Sequence, residues 1–329
     1  FLMAGLDLTM SALELWICSL VRNFSLINVT ITFKQTLLPT ESPADIHSMS
    51  CVPRCLVTAS RTSRVRKEVP GGVKFLPRNS TDAGFDALEI AHVFDKLMKK
   101  LGYTTYMAHG GDWGSLITRY IGQHHPESCL SVHINNPLDV TPPFSKGTLG
   151  YPSLLYSSSG RFVGEDQGHR IDIKPNWVLD ERDAKRHNDN LSFLSGIGYL
   201  YQQSTFPQTL GYGLSDSPAG MAAWIIDKWY HWSDIKGNIF SRYSKDDLLN
   251  NVMIYYLNNT ITSSTRLYKE TIPKQIASAP DNFYVTVPSG IAIFQDISKP
   301  ISAFVPYYYN VVREVEYPSG GHFAILEGS

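Results

Sequence analysis

Long apolar runs are scarce in this chain. The longest near its beginning, roughly Met10–Val21, is interrupted by Glu14. It is shorter than the about 20 residues that cross a bilayer. It also lacks the layout of a secretion signal, so a cytoplasmic location is expected. Cysteine is sparse as well. Cys18, Cys51, Cys55 and Cys129 form no second pair at zinc spacing and no disulfide framework, and read as buried thiols in a reducing compartment. Charge of one sign is missing: 29 basic and 30 acidic residues give a net charge of −1, which excludes a nucleic-acid footprint and an acidic tail. No nucleotide loop, metal cluster or cofactor box occurs, so no cofactor is expected. What is present is 43% hydrophobic and 18% charged over 329 residues. That composition can bury a core, as one large domain or one domain with a sizeable insertion.

Residues 1–83 are the least readable. "NVTITFKQTLL" reads as a strand, whereas "SMSCVPRCLVTASRTSRVRKEVPGG" has no stable period. The region is expected to be irregular apart from a contribution to the core sheet. The pattern sharpens in "FDALEIAHVFDKLMKKLGY", where Ile90, Phe94, Leu97 and Leu101 recur at helical spacing. Asp86 and Glu89 resemble a capping pair. Lys96, Lys99 and Lys100 suit the last turn, and Gly102 follows as a stop. "YTTYMA" (103–108) predicts a strand, "WGSLITRYIGQHH" (113–125) a helix and "LSVHIN" (130–135) another strand. This is the rhythm of a parallel sheet with crossover helices, an α/β fold.

Residues 137–275 break that rhythm and predict a mostly helical insertion over the sheet. In "SPAGMAAWIIDKWYHWSD", Ser217 is the N-cap, Pro218 takes the first helical position, and Met221, Ile225, Trp229 and Trp232 form the apolar face. "DDLLNNVMIYYL" is a second helix. The stretch from Pro142 to Asn190 shows no clear period. Trp224, Trp229, Trp232, Tyr255 and Tyr256 make the insertion aromatic and are expected to pack it internally. Residues 276–329 return to the core: "GIAIF" (290–294) and "NVVREVEY" (310–317) predict strands, and "PSGGHFAILE" a glycine-rich turn entering a helix.

One short stretch carries chemistry. In "HGGDWG" (109–114), Gly110, Asp112 and Gly114 make a small-x-nucleophile-x-small pattern between a strand and a helix. Small residues allow a sharp bend that thrusts the central side chain into the cleft above the sheet. The Trp113 backbone N–H, at the helix start, can stabilise negative charge there. The competing use of Asp112 is a helix N-cap; the flanking glycines and the strand before them favour a nucleophile. Ser115 lies three residues too late for the elbow seat, and no G-x-S-x-G occurs. A carboxylate nucleophile forms an ester, which needs activated water to cleave it. His322 in "SGGHF" follows the last strand, the usual post of the base, and Asp296 follows an earlier strand and can hold its tautomer. Glu314 and Glu316 compete but lie within a strand. The order Asp, Asp, His matches the nucleophile–acid–base order of such sheets. His124–His125 has no zinc spacing and reads as a solvated helix end.

The stretches "FDKLMKKLGY", "GGDWGSL", "GYLYQQSTFPQTLGYGLSDSPAGMAAWI", "LLNNVMIYYLNNTITSSTRLYKE" and "PSGGHFAILE" resemble, in order, the epoxide hydrolases of the α/β-hydrolase superfamily, nearest to the microsomal-type and fungal branch. The resemblance implies an α/β-hydrolase fold with a helical lid inserted between core strands. It implies that Asp112 attacks an epoxide carbon, and that His322, oriented by Asp296, activates water to release a diol. Two lid tyrosines would donate to the opening oxygen; Tyr199 in "GYLYQQST" and Tyr268 in "RLYKE" fall at the matching positions, with Tyr201 as fallback for the first. Phenols are neutral at pH 7 and strengthen their bond as charge grows. The implied partners are a small apolar epoxide and water; the oligomeric state stays open, with a homodimer one option. The family's H-G-x-P turn and its early P-G-x-G-x-S loop have no counterpart in residues 1–83, and the helix after His322 is short. A fragment or a misread N-terminal segment is therefore expected. Two alternatives follow: a haloalkane dehalogenase, which also uses an aspartate elbow and for which Trp113 suits a halide, and a non-catalytic remnant of an epoxide hydrolase.

Overall fold

The computed structural model describes residues 27–32, 84–137, 161–162, 177–277 and 284–327. Cys18, Cys51 and Cys55, and most of the stretches 1–83 and 142–176, lie outside them. The chain runs β1 (Ile27–Thr32), α1 (Ala87–Lys100), β2 (Tyr106–Asp112), α2 (Trp113–His124) and β3 (Cys129–Asn135). A short ribbon, β4 (Arg161–Phe162) with β5 (Trp177–Val178), precedes helices α3 (Glu181–Phe193), α4 (Gly198–Thr205), α5 (Pro207–Asp216), α6 (Pro218–Trp232), α7 (Lys245–Asn258) and α8 (Ile261–Ala277). Strands β6 (Val285–Ile293) and β7 (Tyr309–Glu316) return to the sheet.

The sheet order is β1-β2-β3-β6-β7. β2, β3, β6 and β7 run parallel, and β1 lies antiparallel on β2 with Ile27 opposite Asp112. Parallel neighbours need long crossovers. Helix α2 supplies one between β2 and β3, and the segment carrying α3–α8 supplies the next, between β3 and β6. The helical insertion thus leaves from the carboxyl end of β3, where this class of sheet places its ligands.

Local signals explain most of these elements. The Asp86 carboxylate accepts the Glu89 N–H at 3.0 Å and opens α1. Ile90, Phe94 and Met98 bury its apolar face, and Gly102, at φ +90°, lies just beyond its end. Ser217 caps α6 by accepting from the Gly220 N–H, and Met221, Ile225, Trp229 and Trp232 are buried as the spacing predicts. A second apolar cluster joins these four to Tyr255 and Phe323. In α2 and β3, Ile117, Ile121 and Ile134 are fully buried, each contributing about 1.5–3 kcal/mol. Cys129 is a buried free thiol, and burial pushes its pKa up to about 12.

Four expectations need correction. The strand expected at 103–108 begins at Tyr106 and continues through Gly110 and Gly111 to Asp112. Its start is set by the Tyr106 N–H donating to the Ser128 carbonyl at 2.9 Å, and its glycines stay extended because β1 and β3 pair on either side. Helix α3 lies partly in a stretch that showed no period. It is held by polar groups: the buried Asp183 carboxylate accepts the N–H groups of Ser302 (3.2 Å) and Ala303 (2.9 Å), Arg186 pairs with Asp183 and Glu316, and Asn190 exchanges two bonds with the Lys299 backbone. Among the described residues, the segment after His322 is a series of turns and not a regular helix: the Leu326 and Glu327 N–H groups donate to the Phe323 carbonyl at 2.8 and 3.1 Å and close a single turn. His125 is not simply solvated: its ring sits 2.8 Å from His92 and 3.3 Å from the Asp95 carboxylate.

Candidate active site

Asp112 ends β2 and immediately precedes α2 with φ 52° and ψ −127°. An L-residue held there stores about 1–3 kcal/mol of strain. Its side chain makes no capping bond, which removes the helix-cap reading. The bend needs Gly110 for a steric reason. A Cβ at that position would lie 2.1 Å from the Gly114 carbonyl oxygen and 2.6 Å from Thr118 Oγ1. Ser115 donates its hydroxyl to the Asp112 carbonyl at 2.6 Å, so it fastens the elbow rather than competing as a nucleophile. Trp113 is the first residue of α2, and its backbone N–H is among those that a helix start leaves without an intrahelical acceptor.

His322 faces Asp112 from the loop after β7. Its Nε2 lies 3.8 Å from Asp112 Oδ2, and its Nδ1 lies 2.9 Å and 3.1 Å from the two Asp296 oxygens. Asp296 sits just beyond β6. Asn136, at φ 42° beyond β3, donates its amide to Asp296 Oδ2 at 3.0 Å, while the Ile297 N–H donates to Oδ1 at 2.7 Å. Asn136 also accepts the Phe294 N–H at 2.9 Å, so it ties the acid loop to the end of β3. Burial opposes a charge on His322, but the Asp296 and Asp112 carboxylates outweigh it and hold its pKa well above the usual histidine range.

Tyr268 of α8 and Tyr199 of α4 stand over this group. Their rings are 6.1 Å apart; Tyr268 meets Trp113 edge-on at 4.7 Å, and Tyr199 lies 5.1 Å from Trp232, which in turn lies 5.0 Å from His322. The Trp113 and Gln203 side chains partly offset the burial of the Tyr268 hydroxyl. Burial first, then the Asp112 charge, raises its pKa far above the ordinary phenol value, so it stays a donor at any working pH. The Lys228 ammonium lies 5.1 Å over the Tyr199 ring. Tyr201, the fallback, is 44% exposed and belongs to the outer surface of α4. The structure therefore brings together Asp112, Trp113, Tyr199, Tyr268, Asp296 and His322.

Sequence reasoning missed Asn136, Gln203 and Glu327. Asn136 could have been suspected from "NNP" at a strand end, where asparagine tolerates a left-handed backbone. Outside the site, Asp95, His125 and Glu127 bring three ligand-type atoms within 4.8 Å of one another. The Lys99 ammonium already lies 2.8 Å from Asp95 and 3.3 Å from Glu127, so this cluster carries its own cation.

A parallel sheet with an aspartate elbow, a His–Asp pair behind it and helices above defines a class of hydrolase. The sequence profile of the alpha/beta hydrolase fold matches residues 72–329, and the chain belongs to that family. Its relatives are epoxide hydrolases. It is 33% identical to juvenile hormone epoxide hydrolase 1 of Ctenocephalides felis over 253 residues, covering 74% of this chain and 51% of the relative. It is 31% identical to epoxide hydrolase 1 of Oryctolagus cuniculus over 258 residues, covering 75% and 53%. Among solved structures, the epoxide hydrolase of Aspergillus niger superposes with a TM-score of 0.55 at 26% identity, over 75% of this chain and 55% of that one. The resemblance read from the five motifs is borne out. The chain spans about half the length of the curated relatives it matches. Among the described residues, no helix is long and apolar enough to cross a membrane.

Proposed function

We propose that this chain hydrolyses an epoxide to a vicinal diol through an ester on Asp112. The observation that carries the reading is the line of groups Asp296–His322–Asp112, with Nδ1 at 2.9 Å from one carboxylate and Nε2 at 3.8 Å from the other, beneath two tyrosines. An Asp112 oxygen attacks an epoxide carbon, the carbon–oxygen bond of the ring breaks, and the released oxygen takes a proton from Tyr199 or Tyr268. Alkoxide is a poor leaving group, so a donor aimed at the developing charge is needed at this step.

His322 then takes a proton from water, which adds to the ester carbonyl carbon. The Trp113 N–H stabilises the tetrahedral oxyanion, the ester bond breaks, and the diol leaves as Asp112 is restored. Charge sets the timing. While Asp112 is a carboxylate, it helps to keep His322 protonated. Esterification removes that negative charge and lowers the proton affinity of the imidazole, so that its proton passes to the tyrosinate left by ring opening; the phenol is restored and the neutral ring can act as a base. Helices α4–α8 serve as the lid that brings the tyrosines over the nucleophile. The role of the phenols, which a halide leaving group would not need, supports an epoxide over a haloalkane.

The test is diol formation from an aromatic epoxide by the purified chain beside Asp112→Ala. Activity in the parent and none in the variant is expected. Halide release from a chloroalkane without diol formation would replace the epoxide reading. A soluble, cooperatively melting parent inert toward both would return the chain to the remnant alternative.

A further inference from the structure

The loop that carries His322 is bound to the helical insertion as well as to the end of β6, where the Gln295 N–H donates to the Gly320 carbonyl at 2.8 Å. The His322 N–H donates to the Trp232 carbonyl at the end of α6, at 2.8 Å. Gly321 is pressed onto the same helix end; a Cβ there would lie 2.6 Å from both the Asp234 nitrogen and the Trp232 oxygen. One buried carboxylate joins the two sides. Glu327, 3% exposed, accepts the N–H groups of Gly321 at 2.7 Å, Asp234 at 3.0 Å and Phe323 at 3.2 Å. Two of these donors flank His322 and the third belongs to the insertion. Arg242 closes the bracket by donating to the Glu327 carbonyl at 2.9 Å and to the Asp234 carbonyl at 3.2 Å.

A carboxylate that takes three backbone N–H groups in a dry site fixes those groups strongly, since charge-assisted bonds are short and about twice as strong as neutral ones. The N–H groups on either side of His322 then cannot rotate without leaving an anion unsatisfied. The ring they carry must meet Asp112 on one side and Asp296 on the other. We infer that Glu327 is a positioning residue, whose carboxylate clamps the His322 loop to the end of α6 and thereby sets the imidazole between Asp112 and Asp296. It acts through His322 and does not touch substrate. On this account the insertion braces the base as well as covering the site.

The kinetic arm of the test rests on the epoxide reading; the spectroscopic arm does not. Glu327→Gln keeps the size but puts an NH2 group against N–H donors. With an aromatic epoxide, intact-mass measurement should show the ester adduct accumulating in Glu327→Gln beyond the parent level. Attack by Asp112 needs no base, whereas ester hydrolysis does. kcat should fall by up to about 10²-fold, the loss a misplacement near 1 Å can bring, and KM should fall with it as the adduct builds up. Equal slowing of both half-reactions without adduct build-up, or an unchanged kcat, would overturn the inference.

The second arm follows the His322 ring by NMR titration in substrate-free parent and variant. A pKa returning toward the ordinary value near 6.5 in Glu327→Gln supports the clamp; an unmoved value refutes it. A parent that forms neither diol nor adduct sinks the epoxide reading alone, and the titration still decides the positioning. If Glu327→Gln does not fold, Glu327→Asp, which keeps the charge, takes its place. Failure of that variant to fold would assign the carboxylate to stability and overturn the positioning role.

Discussion

Replacing Gly110 with alanine would place a methyl carbon 2.1 Å from the Gly114 carbonyl oxygen, 2.3 Å from its carbon and 2.6 Å from Thr118 Oγ1. Two of these three atoms are backbone at the junction of β2 and α2, and neither can swing aside as a flexible side chain could. Overpacking in a well-filled core costs about 1–3 kcal/mol and sometimes more; the backbone partners put this substitution at about 3 kcal/mol or above. That is a large part of a total stability of about 5–15 kcal/mol. Gly213, inside α5, supplies the control. A Cβ there meets nothing within 4 Å, and removing a helical glycine should gain about 0.5–1 kcal/mol. Urea unfolding of parent, Gly110→Ala and Gly213→Ala separates the cases. The first variant should lose stability and kcat together, since relief of the clash must displace the strand end that carries Asp112. The second should unfold at slightly higher urea with unchanged turnover. A Gly110→Ala protein as stable and active as its parent would refute the close approach of strand and helix at the elbow.

Three further outcomes are expected. Tyr268→Phe removes a donor over the nucleophile and should lower kcat by about 10²–10³, with adduct formation slowed in stopped-flow traces. Asp296→Asn keeps the shape but offers an amide to His322 Nδ1; turnover should fall by about 10³–10⁴, and the ester should accumulate because its hydrolysis is the step impaired. His109 is held neutral: burial first, then the nearby His133 at 2.8 Å, lowers its pKa to about 4. The unfolded chain binds a proton that the folded chain refuses, so the contribution of His109 to stability should rise as pH climbs from about 4 to about 6.5 and level off there. Unfolding midpoints across that range should show a shallower slope in His109→Gln.

The parts of the fold legible in the sequence are those written in apolar spacing and end signals. The faces of α1 and α6 follow from Ile90, Phe94 and Met221 through Trp232, and their starts from Asp86 and Ser217. The elbow was legible because its glycines are a steric requirement, and the order of Asp112, Asp296 and His322 follows the order of the strands that present them. What stayed hidden is written in tertiary hydrogen bonds. Helix α3 buries Asp183 and Arg186 where a periodicity search looks for leucine. Asn136 and Glu327 act on loops far away in sequence: Asn136 reaches Asp296, and Glu327 reaches Asp234. The "NNP" at the end of β3 hints at the left-handed backbone of Asn136, but no local pattern marks the distant partners of either residue. β2 extends beyond the strand that its sequence predicts for a related reason: "HGG" has the composition of a turn, and it stays extended because strands pair on both sides of it.

The central claim is the ester on Asp112, and a single turnover in heavy-oxygen water tests it most directly. Water attacks the carbonyl carbon of the ester, so the first diol released carries an original Asp112 oxygen, and the label enters the Asp112 carboxylate. Peptide mapping of excess enzyme after one turnover should find the label on the peptide bearing Asp112 and an unlabelled diol. A labelled diol with an unlabelled Asp112 would mean that water attacks the epoxide directly, and would contradict the account.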